Sequence, residues 1–292
     1  MIKAKFSIIK IFSILFSKLN LLFSFLKGKI IVFKKSAAYL LISLAVLFYL
    51  LGLYLLFLKF TDFRPVKKIV LAETKNNKAL ELINKPITLI TWNIGYAGLD
   101  SNMDFFYDGG KKVRPSIADY QKNLNFILNQ LASFNYADFI LLQEVDIFSK
   151  RSYFSNQYEL IRKFLPDYYS GFSKNYDVQF VVMPLYSPMG RVKAGIATFS
   201  KYKADEIARY SYSSNFNFPL NLLMLDRCFM VNKFTIEGNK KLYVINTHNS
   251  AFDGGKLSSI ELAELKDFIL NCYKNGDYVI VGGDFNNNPP YF

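Results

Sequence analysis

Histidine and cysteine are nearly absent from this 292-residue chain, which holds one of the first, His248, and two of the second, Cys228 and Cys272. Two cysteines cannot staple a small domain, and with one histidine they cannot complete a tetrahedral zinc site. They read as ordinary half-buried thiols. A serine triad would need that same lone histidine, and no G-x-S-x-G elbow occurs. Neither a P-loop nor a G-x-G-x-x-G turn is present. The stretch DFNNN from Asp284 begins like a calcium loop, but Pro289 stands where such a loop needs glycine.

Acidic residues are missing from the first sixty positions, which hold nine lysines. The other 232 residues carry 27 basic and 23 acidic side chains, so a net charge of +13 over the whole chain leaves only +4 outside that segment. A general nucleic-acid binder wears its positive charge on the folded domain. The basic balance is therefore weak evidence for such a partner. With 51% hydrophobic and 17% aromatic residues the chain is not disordered, because it can bury enough apolar surface to offset its ordering entropy.

Charge is also missing from residues 36–58, SAAYLLISLAVLFYLLGLYLLFL. At about 1.5 Å per residue the run spans the roughly 30 Å core of a bilayer. It is too long and starts too late for a signal peptide, and KFTDFRP after it offers no small-residue cleavage pattern. The run predicts one transmembrane helix. Before it, Lys3, Ser7, Lys10, Ser13, Ser17, Asn20, Ser24 and Lys27 recur at spacings of three and four among Ile, Leu and Phe. That pattern is a helix with a narrow polar stripe, lying in the membrane interface with its lysines toward anionic lipid. A second span, with its stripe against the first, is the other reading. Lysine placement puts the N-terminus in the cytoplasm and the folded domain on the non-cytoplasmic side, although Lys59, Arg64, Lys67 and Lys68 flank the far end.

The organisation is thus a basic amphipathic segment (1–35), a transmembrane helix (36–58), a linker or loosely docked helix (59–85) and a domain from 86 to 292. In that domain short apolar runs alternate with amphipathic stretches. Strands are expected at 87–93, 138–144, 194–200, 228–236, 241–248 and 277–284. Helices are expected from Ser116 to Ala132 and from Ser258 to Lys274. Ser116 with Asp119, and Ser258 with Glu261, are spaced as capping boxes, and Gly276 marks a stop. The class is α/β, and the hairpin-like pair 228–236 and 241–248 makes part of the sheet antiparallel.

Four of these strands end in groups able to meet metal or phosphate: Asn93, Glu144, His248, and Asp284 with Asn286. Each alone is commonplace, since Asn caps turns and a single Glu is usually solvated. The four together are the signal. Glu144 and Asn93 are hard oxygen ligands suited to Mg²⁺. Asp284 is placed to orient or deprotonate a water, and Asn286 and His248 to hydrogen-bond phosphoryl oxygens.

TWNIGY (91–96), ILLQEVD (140–146), GIATFSKY (195–202), VINTH (244–248) and VIVGGDFN (279–286) follow the order of motifs in the endonuclease/exonuclease/phosphatase superfamily, which this chain resembles from 86 to 292. The resemblance implies a four-layered α/β (α+β) sandwich of two mixed β-sheets flanked by helices, with the site at one end. It implies Asn93 and Glu144 at the metal, Mg²⁺ or Mn²⁺, with His248, Asp284 and Asn286 catalytic and Tyr176 and Arg227 on the substrate side. The family pattern continues past GDFN to an Asp-His motif, whereas this sequence ends at PPYF. The expectation is a C-terminally incomplete domain, a fragment rather than a degenerate relative, because the five motifs present show no decay.

The expected function is a membrane-anchored, divalent-metal-dependent phosphoester hydrolase, with residues 1–58 in a lipid bilayer. Its substrate is a phosphoester of nucleic acid or of a phospholipid headgroup, and the insertions 104–115 and 249–255 shape the site. The alternative is an inactive tethered relative that binds phosphate or metal without turnover. Intact Glu144 and Asp284 weigh against it.

Overall fold

The computed structural model describes residues 13–22, 24, 35–74, 79–81, 86–251 and 254–288. The chain divides into two compact units, Met1–Phe57 and Leu58–Phe292. The first contains a short apolar helix, Ser13–Leu22, and most of helix α1, Lys35–Thr61. Within α1, the apolar stretch of Tyr39–Thr61 has a mean hydropathy of 2.6 and little cover from protein before Leu58, and among the described residues it is the one helix long and apolar enough to cross a membrane. It overlaps the run expected at 36–58. Of the polar-striped helix expected over residues 1–35, the parts at 1–12, 23 and 25–34 lie outside the described residues.

The second unit is a sandwich of four layers. Strands β2 (Leu89–Asn93), β3 (Phe139–Asp146), β4 (Tyr169–Val181) and β5 (Gly190–Ser200) form one sheet in the order β2-β3-β5-β4. Strands β1 (Lys68–Glu73), β6 (Glu206–Ser211), β7 (Cys228–Thr235), β8 (Lys241–His248) and β9 (Tyr278–Asp284) form the other, in the order β1-β6-β7-β8-β9. Both sheets are mixed. Each contains one parallel pair, β2 with β3 and β8 with β9, and its other pairings are antiparallel. Helices α2 (Ile117–Ser133) and α3 (Gln157–Phe164) cover the first sheet, and α4 (Lys256–Lys274) covers the second.

Strand periodicity explains the layering. Side chains alternate across a pleated strand, so a strand buried on both faces reads as a continuous apolar run. In β3, Ile140 and Leu142 pack toward α2 and α3, while Phe139 and Leu141 pack between the sheets. In β7 and β8, Phe229, Val231 and Ile245 face α4, while Met230, Leu242 and Val244 face the intersheet core.

The structure corrects three expectations. Part of the stretch assigned to a linker, 59–85, is strand β1, paired antiparallel with β6. As an edge strand it is exposed at most positions, and its short apolar run, residues 69–72, is bounded by Lys68 and Glu73 rather than by turn residues. Strands β4 and β6 and helix α3 were not expected. The inward positions of β4 include Gly171, Ser173 and Asn175, so its period carries little hydrophobic signal. The third correction concerns caps. Ser116 accepts the Asp119 amide as expected, but α4 begins after Gly255, so Ser258 lies inside the helix and Glu261 is free for another role. The hairpin of β7 and β8 and the stop at Gly276 are as expected.

Candidate active site

Parallel pairing places the C-terminal ends of two strands side by side. In the first sheet Asn93 is in register with Gln143, next to Glu144, and in the second His248 is in register with Asp284. The two pairs end at the same end of the sandwich, and the Asn93 side chain reaches from one sheet to the other: its Nδ2 donates to Glu144 Oε1 at 3.1 Å and to Asp284 Oδ2 at 2.8 Å. Close approach there depends on glycine. A Cβ on Gly282 would lie 2.8 Å from Leu141 of the opposite sheet, and one on Gly283 would lie 2.1 Å from the Thr247 carbonyl oxygen.

Glu144 is held by strain as well as by bonds. Its φ is +57°, rare for a residue with a side chain, and it sits where the pairing of β3 with β5 shifts register between Leu142 and Val145. Such a bulge re-aims a side chain out of the strand's alternation. Asn286 has φ +49°, and its backbone N–H donates to Asp284 Oδ1 at 3.0 Å.

His248 Nε2 lies 3.9 Å from Glu144 Oε1 and 3.8 Å from Asp284 Oδ2. Burial, reinforced by the charges of Arg227 and Arg151, holds its pKa well below the usual histidine value, so the imidazole is neutral at physiological pH. Arg227 donates to the His248 carbonyl at 3.4 Å. Withdrawal from water lowers the Arg227 pKa, opposed by Glu261, Glu144 and Asp284.

These groups open onto one cavity of about 460 Å³, and all seven expected residues line it: Asn93, Glu144, Tyr176, Arg227, His248, Asp284 and Asn286. Tyr176 is closely packed, and its hydroxyl donates to the Leu223 carbonyl at 2.9 Å. The two insertions contribute Phe105, Tyr107 and Asp108 from one, and Ser250 and Ala251 from the other. Among the described residues no three His, Cys, Asp or Glu side chains form a closed metal cage.

Two supporting groups escaped the sequence reading. Glu261, fully buried, accepts from Ser214 Oγ (2.7 Å), Asn249 Nδ2 (3.1 Å), Ser250 N (2.7 Å) and Ser250 Oγ (2.6 Å). The Asn249 it fixes donates its N–H to the Asp284 carbonyl (2.9 Å), and its own carbonyl accepts Asn286 Nδ2 (2.8 Å). Glu261 thereby orients the loop that sets both site residues. The second group is Arg151, which makes a buried two-point ion pair with Asp146 (3.0 and 2.9 Å) and lies over the Tyr96 ring at 3.8 Å. The spacing of Ser258 and Glu261 resembled a cap, which hid the first. The second carried no local signal beyond two opposite charges five residues apart.

A four-layered sandwich with two parallel strand pairs ending in one acidic, histidine-bearing cavity narrows the class. Residues 90–292 match the Endonuclease/Exonuclease/phosphatase family, and the chain belongs to it. Solved structures similar to it include the human Nocturnin catalytic domain with bound sulfate anion, at 17% identity and a TM-score of 0.45, covering 74% of this chain and 69% of that one. Another is ANGEL2, a 2',3'-cyclic phosphatase, at 19% identity and a TM-score of 0.47, covering 77% and 57%. A third is the endonuclease/exonuclease/phosphatase from Beutenbergia cavernae DSM 12333, at 17% identity and a TM-score of 0.46, covering 70% and 49%. No curated protein matches. The family match carries the assignment.

Proposed function

We propose that this protein is a membrane-anchored, divalent-metal-dependent phosphoester hydrolase. The observation that carries the reading is the convergence of Glu144 and Asp284, from different sheets, on the one amide of Asn93 beside a neutral histidine. Two carboxylates facing a neutral amide suit a hard cation that takes one or two carboxylates and keeps several waters, so Mg²⁺ or Mn²⁺ is the ion proposed. Bound there, it would polarise the phosphoryl group and stabilise the leaving oxygen.

The chain's own residues supply the rest. Glu144 would be the principal ligand to that ion. Asn93 clamps both carboxylates through Nδ2 while its oxygen accepts the Gly95 N–H at 3.0 Å with one lone pair, and the second would be open to the ion. Asp284 is fixed through one oxygen by the Asn286 N–H and orients the attacking water, accepting its proton. Neutral His248 and the Asn286 amide hydrogen-bond the phosphoryl oxygens as charge builds on them. Arg227 offers the substrate a positive charge in the wall, and Tyr176 packs the side away from the phosphate. The substrate is a phosphoester of nucleic acid or of a phospholipid headgroup. The anchor and the modest charge of the folded part favour the headgroup.

The test is hydrolysis of bis(4-nitrophenyl) phosphate and of a panel of nucleotide and phospholipid esters by the full chain in detergent. Mg²⁺ or Mn²⁺ should be required, EDTA should stop turnover, and Glu144→Ala or Asp284→Ala should abolish it. Activity that survives chelation or both substitutions removes the reading. Mg²⁺ binding without turnover of any ester supports the inactive relative instead.

A further inference from the structure

At the site end of the sandwich two connections carry apolar side chains that no core explains. In the β4–β5 connection Met183, Leu185 and Tyr186 are 50%, 74% and 69% exposed, and in the β6–β7 connection Phe218 and Leu220 are 64% and 55% exposed. The β6–β7 connection lines the cavity through Ser214, Asn215, Phe216, Met224 and Leu225, and the β4–β5 connection joins the two strands that bring Tyr176 and Ala194 to it. The Tyr186 hydroxyl donates to the Lys111 carbonyl at 3.0 Å, in the loop that brings Phe105 and Tyr107 to the wall, and Phe216 and Met224 of the wall flank Phe218 and Leu220 in sequence. Lys111, Lys112 and Arg114 are exposed in that first loop. Single apolar side chains at a surface need no account, but a group of them on loops around one opening does. Aromatic and aliphatic tips set among cations are the composition of a surface seated in a membrane interface, where lysine and arginine meet anionic headgroups.

A second, independent observation lies within the same unit. After α1 the chain enters β1 at the site end of the sandwich, where Lys68 pairs with Tyr210 near the end of β6. The Lys174 ammonium sits 3.6 Å from the centre of the Phe63 ring, with the Arg209 guanidinium at 5.5 Å. The Val66 carbonyl accepts Ser211 Oγ at 2.8 Å, and the Lys67 carbonyl accepts the Ser211 N–H at 2.9 Å. Lys174 precedes Asn175 and Tyr176, and Ser211 lies three residues before Ser214; all three of these neighbours line the cavity. The segment that follows the apolar helix therefore borders the site end of the sandwich. Tyr273 and Tyr278 lie at the other end, where α4 stops and β9 starts.

We propose, building on the reading of α1 as a membrane anchor and of the cavity as a phosphoester site, that these loops seat the cavity mouth on a lipid surface bearing anionic headgroups. The substrate then reaches Glu144 and Asp284 from the bilayer side. The partner is the lipid surface itself.

The experiment uses the full chain in nanodiscs of phosphatidylcholine and phosphatidylserine that contain nitroxide-labelled lipid. An environment-sensitive fluorophore is attached at Leu185→Cys, at Phe218→Cys, or at Tyr273→Cys as the distal control; the native Cys228 and Cys272 are both buried. Quenching at 185 and 218 should exceed that at 273 several-fold. With the label at Met183→Cys, the added pair Leu185→Asp and Phe218→Asp should remove most of the quenching while leaving bis(4-nitrophenyl) phosphate hydrolysis and Tm unchanged. Equal quenching at all three positions, or quenching indifferent to the two aspartates, overturns the proposal. If the wild type hydrolyses the soluble ester but shows no quenching contrast, this surface alone is wrong. If the contrast is present and no ester is hydrolysed, the surface stands and the hydrolase reading falls.

Discussion

Carboxylates at the site end of the sandwich are of two kinds. Asp146 and Glu261 are fully buried and saturated, the first by two bonds from Arg151 and the second by four donors. Glu144 and Asp284 keep 22% and 27% of their side chains exposed and share one amide nitrogen. A buried acceptor that is fully bonded is stable where it is, and removing its partners leaves a desolvated charge. A carboxylate with spare lone pairs facing a cavity contributes little to folding and is available for chemistry. Exposure and bonding, rather than residue type, separate the two pairs.

The largest effect that would break this comparison is on turnover. Asp284→Ala should lower the hydrolysis rate by about three orders of magnitude or more, the scale for loss of a group acting only on the reacting centre, with Tm nearly unchanged. A large fall in Tm would make Asp284 part of the scaffold.

Next in size, Arg151→Leu should cost about 3–5 kcal/mol in denaturant unfolding, because Asp146 is left buried without its cation. The double replacement Arg151→Leu with Asp146→Leu should recover much of that. Failure of the double variant to recover would mean that packing on Tyr96, not charge, holds the pair.

Glu261→Ala should cost about 1–3 kcal/mol, since it strips buried donors of their acceptor. It should also lower kcat more than it raises KM, because Asn249 would no longer fix Asp284 and Asn286. Glu261→Gln, which keeps one accepting oxygen, should restore part of kcat. A loss of stability with kcat intact would make Glu261 structural only.

The last effect is a pH slope. Burial, helped by the neighbouring charge of Asp62 and opposed by Arg209 and Lys174, pushes Asp226 up to about 7. The native state then holds this proton more tightly than the unfolded chain, whose carboxyl titrates near 3.9. Its contribution to stability is therefore greatest in acid and is lost as pH rises between about 4 and 7. Asp226→Asn should flatten that decline and raise Tm by a few degrees above neutrality, read by melting across the same range. An unchanged profile would show that Asp226 titrates normally.

Six strands were legible because their apolar runs end in turn residues, and α2 because Ser116 caps it. The candidate residues that meet at the cavity were legible because Asn93, Glu144, His248 and Asp284 each stand at the end of such a run. Strands β1, β4 and β6 were not. Their burial depends on neighbours supplied by distant parts of the chain, and in β4 the inward positions include small or polar residues. Glu261 was misread for a related reason: its local spacing fits a cap, while its partners lie on three loop residues, the farthest at Ser214.

Local composition and period determine what each segment is, since a bilayer-length apolar run or a two-residue alternation needs no partner to be read. They also determine which residue types stand at the strand ends. Which of those ends meet is another matter. Asn93 and Asp284 are 191 residues apart and in different sheets. Only sheet packing, the strained turn at Glu144 and the glycine that lets the sheets close, Gly282, bring them within one hydrogen bond. Contacts of that kind come from the sum of nonlocal packing, which no single stretch of sequence encodes.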